Sequence, residues 1–396
     1  MWIAKNLSAG NISMSSQSIT IKSSKGGDVL NDFIHVPHTI YKDDPHWIAP
    51  LTIERREHFS FRHNPFFAHA QVRFFVAYNT SNKPVGRISA QIDNQEETYN
   101  TIGHFGCLEA INKHVMAQLL AEAENWLGEK GIKEVTGPYS LSINDEVGLL
   151  VSGYNASPKI MMNYAPKWYA EALEALGYSK IKDLHAFELH ADTPFPINCQ
   201  KMAAHILKKE NIHERPIALK KFHEELSTVM DIFNDAWSDN WGFTPMTEPE
   251  IKYMAKNLRP IIDAEMARII EVDGTPAGMI VTLPDINQAL KGLKGQLLPL
   301  GWLKLFYRLK IKKISGGRVV LMGIKKEYQN TRLGGGLAVA LVTQLQKIGQ
   351  QRGYKHVELS WLLEDNIAMR KIIEFVGGKH YKTYRIYKKN LEGSNG

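Results

Sequence analysis

The stretch from Arg318 to Gln350 constrains the fold most. Val319, Val320, Leu321, Met322 and Ile324 form a continuous apolar run of strand length, which predicts a strand buried on both faces. Lys325-Lys326-Glu327-Tyr328-Gln329-Asn330-Thr331-Arg332-Leu333-Gly334-Gly335-Gly336 follows. After the glycines, Leu337, Leu341, Leu345 and Ile348 recur at the spacing of an amphipathic helix. Glycines between a strand end and a helix start let backbone N–H groups approach an anion closely, and the helix dipole favours negative charge there. The residues therefore predict pyrophosphate binding at a strand–loop–helix junction. A glycine-rich turn that merely starts a helix is the alternative.

The loop carries neither Gly-x-Gly-x-x-Gly nor Gly-x-x-x-x-Gly-Lys-Ser/Thr. Downstream, Val357, Leu359 and Trp361 alternate with His356, Glu358 and Ser360, a period-two strand. Asp365-Asn366 then caps a helix with Met369, Ile372, Ile373 and Val376 on one face, and Gly377-Gly378 ends it. Tyr381 to Tyr387 reads as a final strand.

This succession resembles the acyl-CoA-binding half of the GNAT N-acetyltransferase superfamily, whose motif is Gln/Arg-x-x-Gly-x-Gly/Ala between a strand and a helix. Without a gap, Gln329 takes the first position and Gly334 the last, with Arg332 where the family has its first glycine. A two-residue slip puts Gly334 and Gly336 on both glycines and Thr331 on the Gln/Arg. The ungapped register is preferred because it keeps Glu327-Tyr328-Gln329 and Leu337 in family-like places. Asp43-Asp44-Pro45-His46-Trp47, Asn64-Pro65-Phe66-Phe67 and Asn240-Trp241-Gly242-Phe243 extend the resemblance to a bacterial family of tandem GNAT proteins.

The resemblance implies an α/β fold of two tandem GNAT-like domains, each a mixed, mostly antiparallel sheet flanked by helices. It implies acetyl-CoA or another acyl-CoA as co-substrate, held by Met322, Gly323, Ile324, Gln329, Thr331, Arg332, Leu333, Gly334, Gly335 and Asn366, with no metal. The acceptor is a small-molecule or peptide amine, against Trp237, Trp241 and Phe243, whose other reading is core packing. Glu364 is the expected base, with Glu358 its rival. The tyrosine that many members use as acid falls on Ile373, which leaves Tyr384 as candidate. A sensor that binds acyl-CoA without turnover is the competing function.

Landmarks recur in the two halves. Val85-Gly86 is answered by Ala277-Gly278, Lys130-Gly131-Ile132 by Arg352-Gly353-Tyr354, and Leu176-Gly177 by Val376-Gly377. The expected organisation is a disordered leader over 1–17 (Met14 being an alternative start) and a first domain over 18–192 with no glycine loop. A linker over 193–220 and a CoA-binding domain over 221–396 complete it. In the first copy Ala110-Ile111-Asn112-Lys113 stands where the loop would be, so one CoA per chain is expected.

Charge is localised. The chain has a net charge of +7, yet no acidic residue lies between Asp285 and Glu327, where Lys291, Lys294, Lys304, Arg308, Lys310, Lys312, Lys313, Arg318, Lys325 and Lys326 fall. Outside that segment 38 basic residues face 41 acidic ones, which argues against a nucleic-acid binder. Within it, 297–313 is apolar, aromatic and basic together: a lid on an acyl pocket, a peripheral membrane contact, or a helix packed on the sheet with snorkelling lysines. Two cysteines, Cys107 and Cys199, make neither a disulfide framework nor a zinc site and suit a cytoplasmic protein. His35 and His38 lack a third partner for a metal.

Overall fold

The computed structural model describes residues 18–25, 27 and 29–391; the expected leader lies outside them. The first half comprises β1 (Thr20–Ser24), α1 (Leu30–Ile40), α2 (Thr52–His58), β2 (Ala70–Tyr78), β3 (Pro84–Asp93) and β4 (Ile102–Ala110). It continues with α3 (Lys113–Gly128), β5 (Glu134–Gly137), β6 (Leu149–Ser152), α4 (Trp168–Ala175) and β7 (Ser179–His190). Then come α5 (Ile197–Leu207), β8 (Ile212–Pro216), α6 (Phe222–Trp237), α7 (Glu248–Leu258), β9 (Ala267–Val272) and β10 (Thr275–Pro284). Two short helices, α8 (Asn287–Leu290) and α9 (Gly301–Tyr307), precede β11 (Gly316–Ile324). The chain closes with α10 (Arg332–Arg352), β12 (His356–Leu363), α11 (Ile367–Phe375) and β13 (Lys379–Asn390).

Local chemistry sets many of these limits. The Asn112, Thr331 and Asn366 side chains each accept a hydrogen bond from the amide three residues on, starting α3, α10 and α11. Thr247 and Glu250 form a reciprocal capping box at α7. Gly353, at φ 86°, ends α10 in the left-handed conformation that glycine adopts without a Cβ penalty.

One sheet spans both halves, in the order β1-β2-β3-β4-β5-β13-β7-β12-β11-β10-β9-β8, with β6 pairing β13 at one end. Each half contributes five strands in sequence, β1–β5 and β8–β12, and is completed by the last strand of the other. β13 pairs β5, and β7 pairs β12. The two parallel pairings, β4 with β5 and β11 with β12, fall at equivalent places. The tandem repeat is thus real, but neither half closes its own sheet. Two larger apolar cores follow: one under α3 and α4, the other under α10, where Leu337, Ala338, Val339, Leu341, Val342 and Leu345 are buried.

Residues 193–220 carry α5 and β8: α5 buries Cys199, Ala203 and Ile206 against α10, and β8 pairs β9 at the sheet edge. Strand β6 has only four residues, too few to show a periodicity in the sequence. The 297–313 segment forms α9 and one π-helical turn, and none of its residues lines the cavities described below.

Candidate functional site

Parallel pairing of β11 with β12 runs from Gly316–His356 to Val319–Leu359 and stops there. β11 continues to Ile324, while β12 shifts register against β7 between Leu359 and Leu362. The strands splay, and the edge of β11 beyond Val319 loses its partner on that side. A cavity of about 590 Å³ occupies the gap, bounded by β11, β12, the start of α10, α11 and the end of α6.

The loop from β11 to α10 closes one end. Gln329 donates from Nε2 to the Ile324 carbonyl at 2.8 Å, and Thr331 Oγ1 donates to the Tyr328 carbonyl at 2.6 Å while accepting from the Gly334 amide at 3.0 Å. The Gly335 amide is held by the Thr331 carbonyl at 3.1 Å. The next amides available are those of Arg332 and Leu333, which have no acceptor among the described residues. The glycines differ in role. A Cβ on Gly334 would meet the Tyr328 carbonyl oxygen at 2.1 Å, so this glycine serves packing, whereas a Cβ on Gly335 would meet nothing within 4 Å. Two acids line the cavity, and each is paired: Asp239 with Lys326 and Asp365 with Lys182, both at 2.7 Å. Open amides at a helix N-terminus, with neutralised acids nearby, suit a phosphate group.

The equivalent place in the first half is built differently. After β5, the Tyr139 amide donates to the Phe105 carbonyl at 2.9 Å, and Gln91 Nε2 donates to the Tyr139 and Leu141 carbonyls, each at 3.0 Å. A Cβ on Gly106 would lie 1.5 Å from the Tyr139 oxygen. Here the chain crosses over β4 at Gly106 where its counterpart splays, and beyond the crossing Cys107, Leu108, Glu109, Pro138 and Ser140 line a separate cavity of about 290 Å³.

Of the expected CoA contacts, Met322, Gly323, Ile324, Gln329, Thr331, Gly334, Gly335 and Asn366 line the large cavity, and Arg332 and Leu333 do not. Trp237 and Trp241 line it too, and both also line a second cavity of about 140 Å³. The two spaces further share Asn240, Val320 and Trp361. The second is apolar: Phe222, Leu226, Val229, Met230, Phe233 and Phe243 come from α6 and the loop after it, and Met254 and Leu258 from α7. Ile143, Asn144, Asp145 and Met161 of the first half complete it. Trp237 is fixed by its indole N–H, which donates to the Met322 carbonyl at 3.3 Å, and by Phe233, with ring centroids 4.9 Å apart.

The expected acid and base are not at the gap. Glu364 accepts from Lys180 Nζ at 2.6 Å and from the Asp183 amide at 3.1 Å, and it lines neither cavity. Tyr384 is fully buried, its hydroxyl has no partner among the described residues, and burial pushes that hydroxyl well above the usual tyrosine range. Glu358 is also fully buried and reaches the gap through a neighbour. The Ser360 hydroxyl, lining the large cavity next to the last paired residue, donates to Glu358 at 2.5 Å and accepts from Arg318 Nε at 2.7 Å. Tyr381 donates to the other Glu358 oxygen, and Arg318 Nη1 holds the Ile160 and Met161 carbonyls at 3.0 and 3.2 Å.

Two acids reach the apolar cavity, Glu225 and Asp145. Glu225 is committed to Arg215 at 2.8 Å and to the Ala218 amide at 3.2 Å. Asp145 accepts only locally, from the Ser142 hydroxyl at 3.0 Å and its amide at 3.3 Å, and burial raises its pKa. Sequence reading missed it because it sits in an irregular loop of the half that lacks the glycine loop.

No protein-family model matches the chain. It is 41% identical over 366 residues to "Bacterial ceramide synthase" of Caulobacter vibrioides, covering 91% of this chain and 95% of that protein. It is 40% identical, also over 366 residues, to "Protein YghO" of Escherichia coli, covering 91% and 93%. Among solved structures, a tandem GNAT protein from the clavulanic acid biosynthesis pathway superposes with a TM-score of 0.56 at 11% identity, covering 96% of this chain and all of that one. The glucosamine N-acetyltransferase region of a fungal multi-domain β-N-acetylglucosaminidase gives 0.56 at 14% identity, covering 95% of this chain and 38% of that longer one. The chain has the tandem GNAT fold and belongs to the family of the Caulobacter bacterial ceramide synthase and Escherichia coli YghO.

Proposed function

We propose that this protein is an N-acyltransferase that takes an acyl group from an acyl-CoA and delivers it to an amine carried by a long-chain, amphiphilic acceptor. The observation that carries this reading is the adjacency of two spaces, a cleft whose end at Thr331, Gly334 and Gly335 adjoins the open first amides of α10, and an apolar cavity that shares five lining residues with it. A fold alone does not fix a reaction, so the argument rests on this site. The name of the Caulobacter relative fits an acceptor that becomes a ceramide, the amide of a fatty acid and a long-chain amino alcohol.

In this reading the pyrophosphate lies against the first amides of α10, and the pantetheine arm runs along the unpaired edge of β11. The thioester then sits near Ser360 and Trp361, where pairing resumes. Backbone N–H groups on that edge stabilise the oxyanion formed as the amine attacks. Attack needs a neutral amine, and Asp145, the uncommitted carboxylate of the apolar cavity, takes the proton. Its raised pKa makes it a stronger base than a solvated aspartate. As the thiolate departs, the Ser360 hydroxyl turns its proton from Glu358 to the sulfur while still accepting from Arg318, and the released thiolate takes its proton from solvent.

The test is turnover. Purified protein with palmitoyl-CoA and a long-chain amino alcohol should release free CoA and form the amide in equal amounts, and a short, water-soluble amine should react far more slowly. Tight CoA binding with neither product would replace this reading with the non-catalytic sensor.

A further inference from the structure

The insertion between β10 and β11 presents an apolar surface with no partner among the described residues. Of the fifteen large hydrophobic side chains exposed among the described residues, seven fall in this short segment: Leu298, Leu300, Trp302, Leu303, Phe306, Tyr307 and Ile311. Their exposures run from 45% to 78%, so each leaves about half or more of its surface in solvent. Helical spacing explains the grouping. Trp302, Leu303, Phe306 and Tyr307 lie at i, i+1, i+4 and i+5, one side of α9. Leu305, on the other side, packs against the Ile48, Leu290 and Leu293 cluster. Arg308 Nη1 pins the turn that follows by donating to the Ala289 and Lys291 carbonyls at 2.8 and 2.6 Å. The helix is therefore anchored, with its more apolar face outward, the reverse of an ordinary surface helix.

Charge surrounds this face. Lys291, Lys294, Lys304, Lys310, Lys312 and Lys313 are exposed, and none forms an ion pair among the described residues. Elsewhere many surface cations are matched, Lys325 by Asp231, Lys326 by Asp239 and Lys182 by Asp365. A protein partner or a second copy of this chain would have to supply a matching acidic rim around an apolar centre. An anionic bilayer supplies both as a matter of composition, with acyl chains for the aromatic side chains and phosphate headgroups for the lysines.

We infer that α9 and the turns on either side form a monotopic membrane-docking element that seats the protein on an anionic lipid surface. No helix among the described residues is long and apolar enough to cross a membrane, so this contact is peripheral. A cavity of about 290 Å³ lies directly behind the element. Ile48 and Leu290 line it, and both belong to the cluster on which Leu305 rests. Met161 and Leu258 line both this cavity and the apolar one of the candidate site. Docking through α9 thus brings the lipid surface to the side of the molecule from which an amphiphile reaches the apolar cavity.

The experiment uses the full chain and vesicles of phosphatidylcholine with or without 30% phosphatidylglycerol, read by flotation. The wild type should float with the anionic vesicles. Trp302→Ser with Phe306→Ser should lose partitioning by at least tenfold. Lys310→Glu with Lys312→Glu and Lys313→Glu should lose it by roughly fivefold or more per lysine at low salt. All these positions are exposed, so unchanged melting temperatures will separate lost docking from lost fold. Failure of the wild type to float, or equal flotation of the aromatic variant, would overturn the inference. A concentration-dependent dimer that the aromatic variant abolishes would overturn it in favour of a self-association face. None of these readouts depends on acyl transfer, so the inference stands or falls apart from the proposed function.

Discussion

Gly335→Asp tests the phosphate end of the cleft without confounding the fold. Gly334 is the less informative position, because a side chain there would collide with the Tyr328 carbonyl oxygen and damage the loop whatever its charge. Gly335 has nothing within 4 Å of its missing Cβ and lines the cleft, so an aspartate there projects into the space assigned to pyrophosphate. In the first turn of α10 it also sits favourably on the helix dipole, by about 0.3–1 kcal/mol, so the variant should fold. Two unit charges ~5 Å apart repel by ~0.8 kcal/mol at a dielectric of 80 and by ~3 kcal/mol at 20. With two negative charges on the pyrophosphate, the loss spans ~1.7 to ~7 kcal/mol, or at least about 15-fold in CoA affinity. Gly335→Ala should bind CoA like the wild type and melt higher, since replacing glycine within a helix is worth about 1 kcal/mol. Titration calorimetry with CoA on the three proteins decides. A folded Gly335→Asp that binds within threefold of the wild type would refute this placement of the phosphates.

The same titration should give one CoA per chain, because Tyr139 crosses Gly106 where a first-half site would open; a stoichiometry of two contradicts this. Asp145→Asn should lower kcat by about 100-fold or more with CoA affinity unchanged. The wild-type rate should rise with pH through an apparent pKa above the ~3.9 of a solvated aspartate, and that limb should vanish in the variant. His69 bonds Asp93 at 2.8 Å and lies 3.2 Å from Glu250 of α7, which together raise its pKa to about 9 and tie the first half to a wall of the apolar cavity. A raised histidine pKa stabilises the fold fully below about 6.5, and this stabilisation, at most about 3 kcal/mol, is lost as pH climbs through about 9. The melting temperature should therefore fall between pH 7 and 9.5, and less steeply in His69→Gln; parallel slopes would remove His69 as the cause.

Features governed by local chemistry were readable in the chain. The helix after the glycines and the helix capped at Asp365-Asn366 form where their periodicity and caps predict, as α10 and α11. What depends on strand pairing was not readable. Glu364 was expected at the gap because it follows β12, yet β12 pairs with β7 of the other half, and Lys180 of that strand captures the carboxylate. Tyr384 belongs to the strand exchanged in the opposite direction and is buried between β6 and β7. The sequence likewise shows three adjacent glycines, but only packing tells Gly334, held against Tyr328, from Gly335, open to the cleft. The composition of 297–313 announced an amphipathic element; which face it turns outward depends on Leu305 finding Ile48, far away in the chain.

The central claim is that a CoA thioester lies in the β11–β12 splay with its reacting carbonyl beside the apolar cavity. A crystal structure with a bound, non-transferable palmitoyl-CoA analogue tests this most directly. The account predicts pyrophosphate oxygens on the Arg332 and Leu333 amides, the sulfur position beside Ser360 and Trp361, and an empty first half. CoA bound elsewhere, or a pyrophosphate distant from the start of α10, would contradict it.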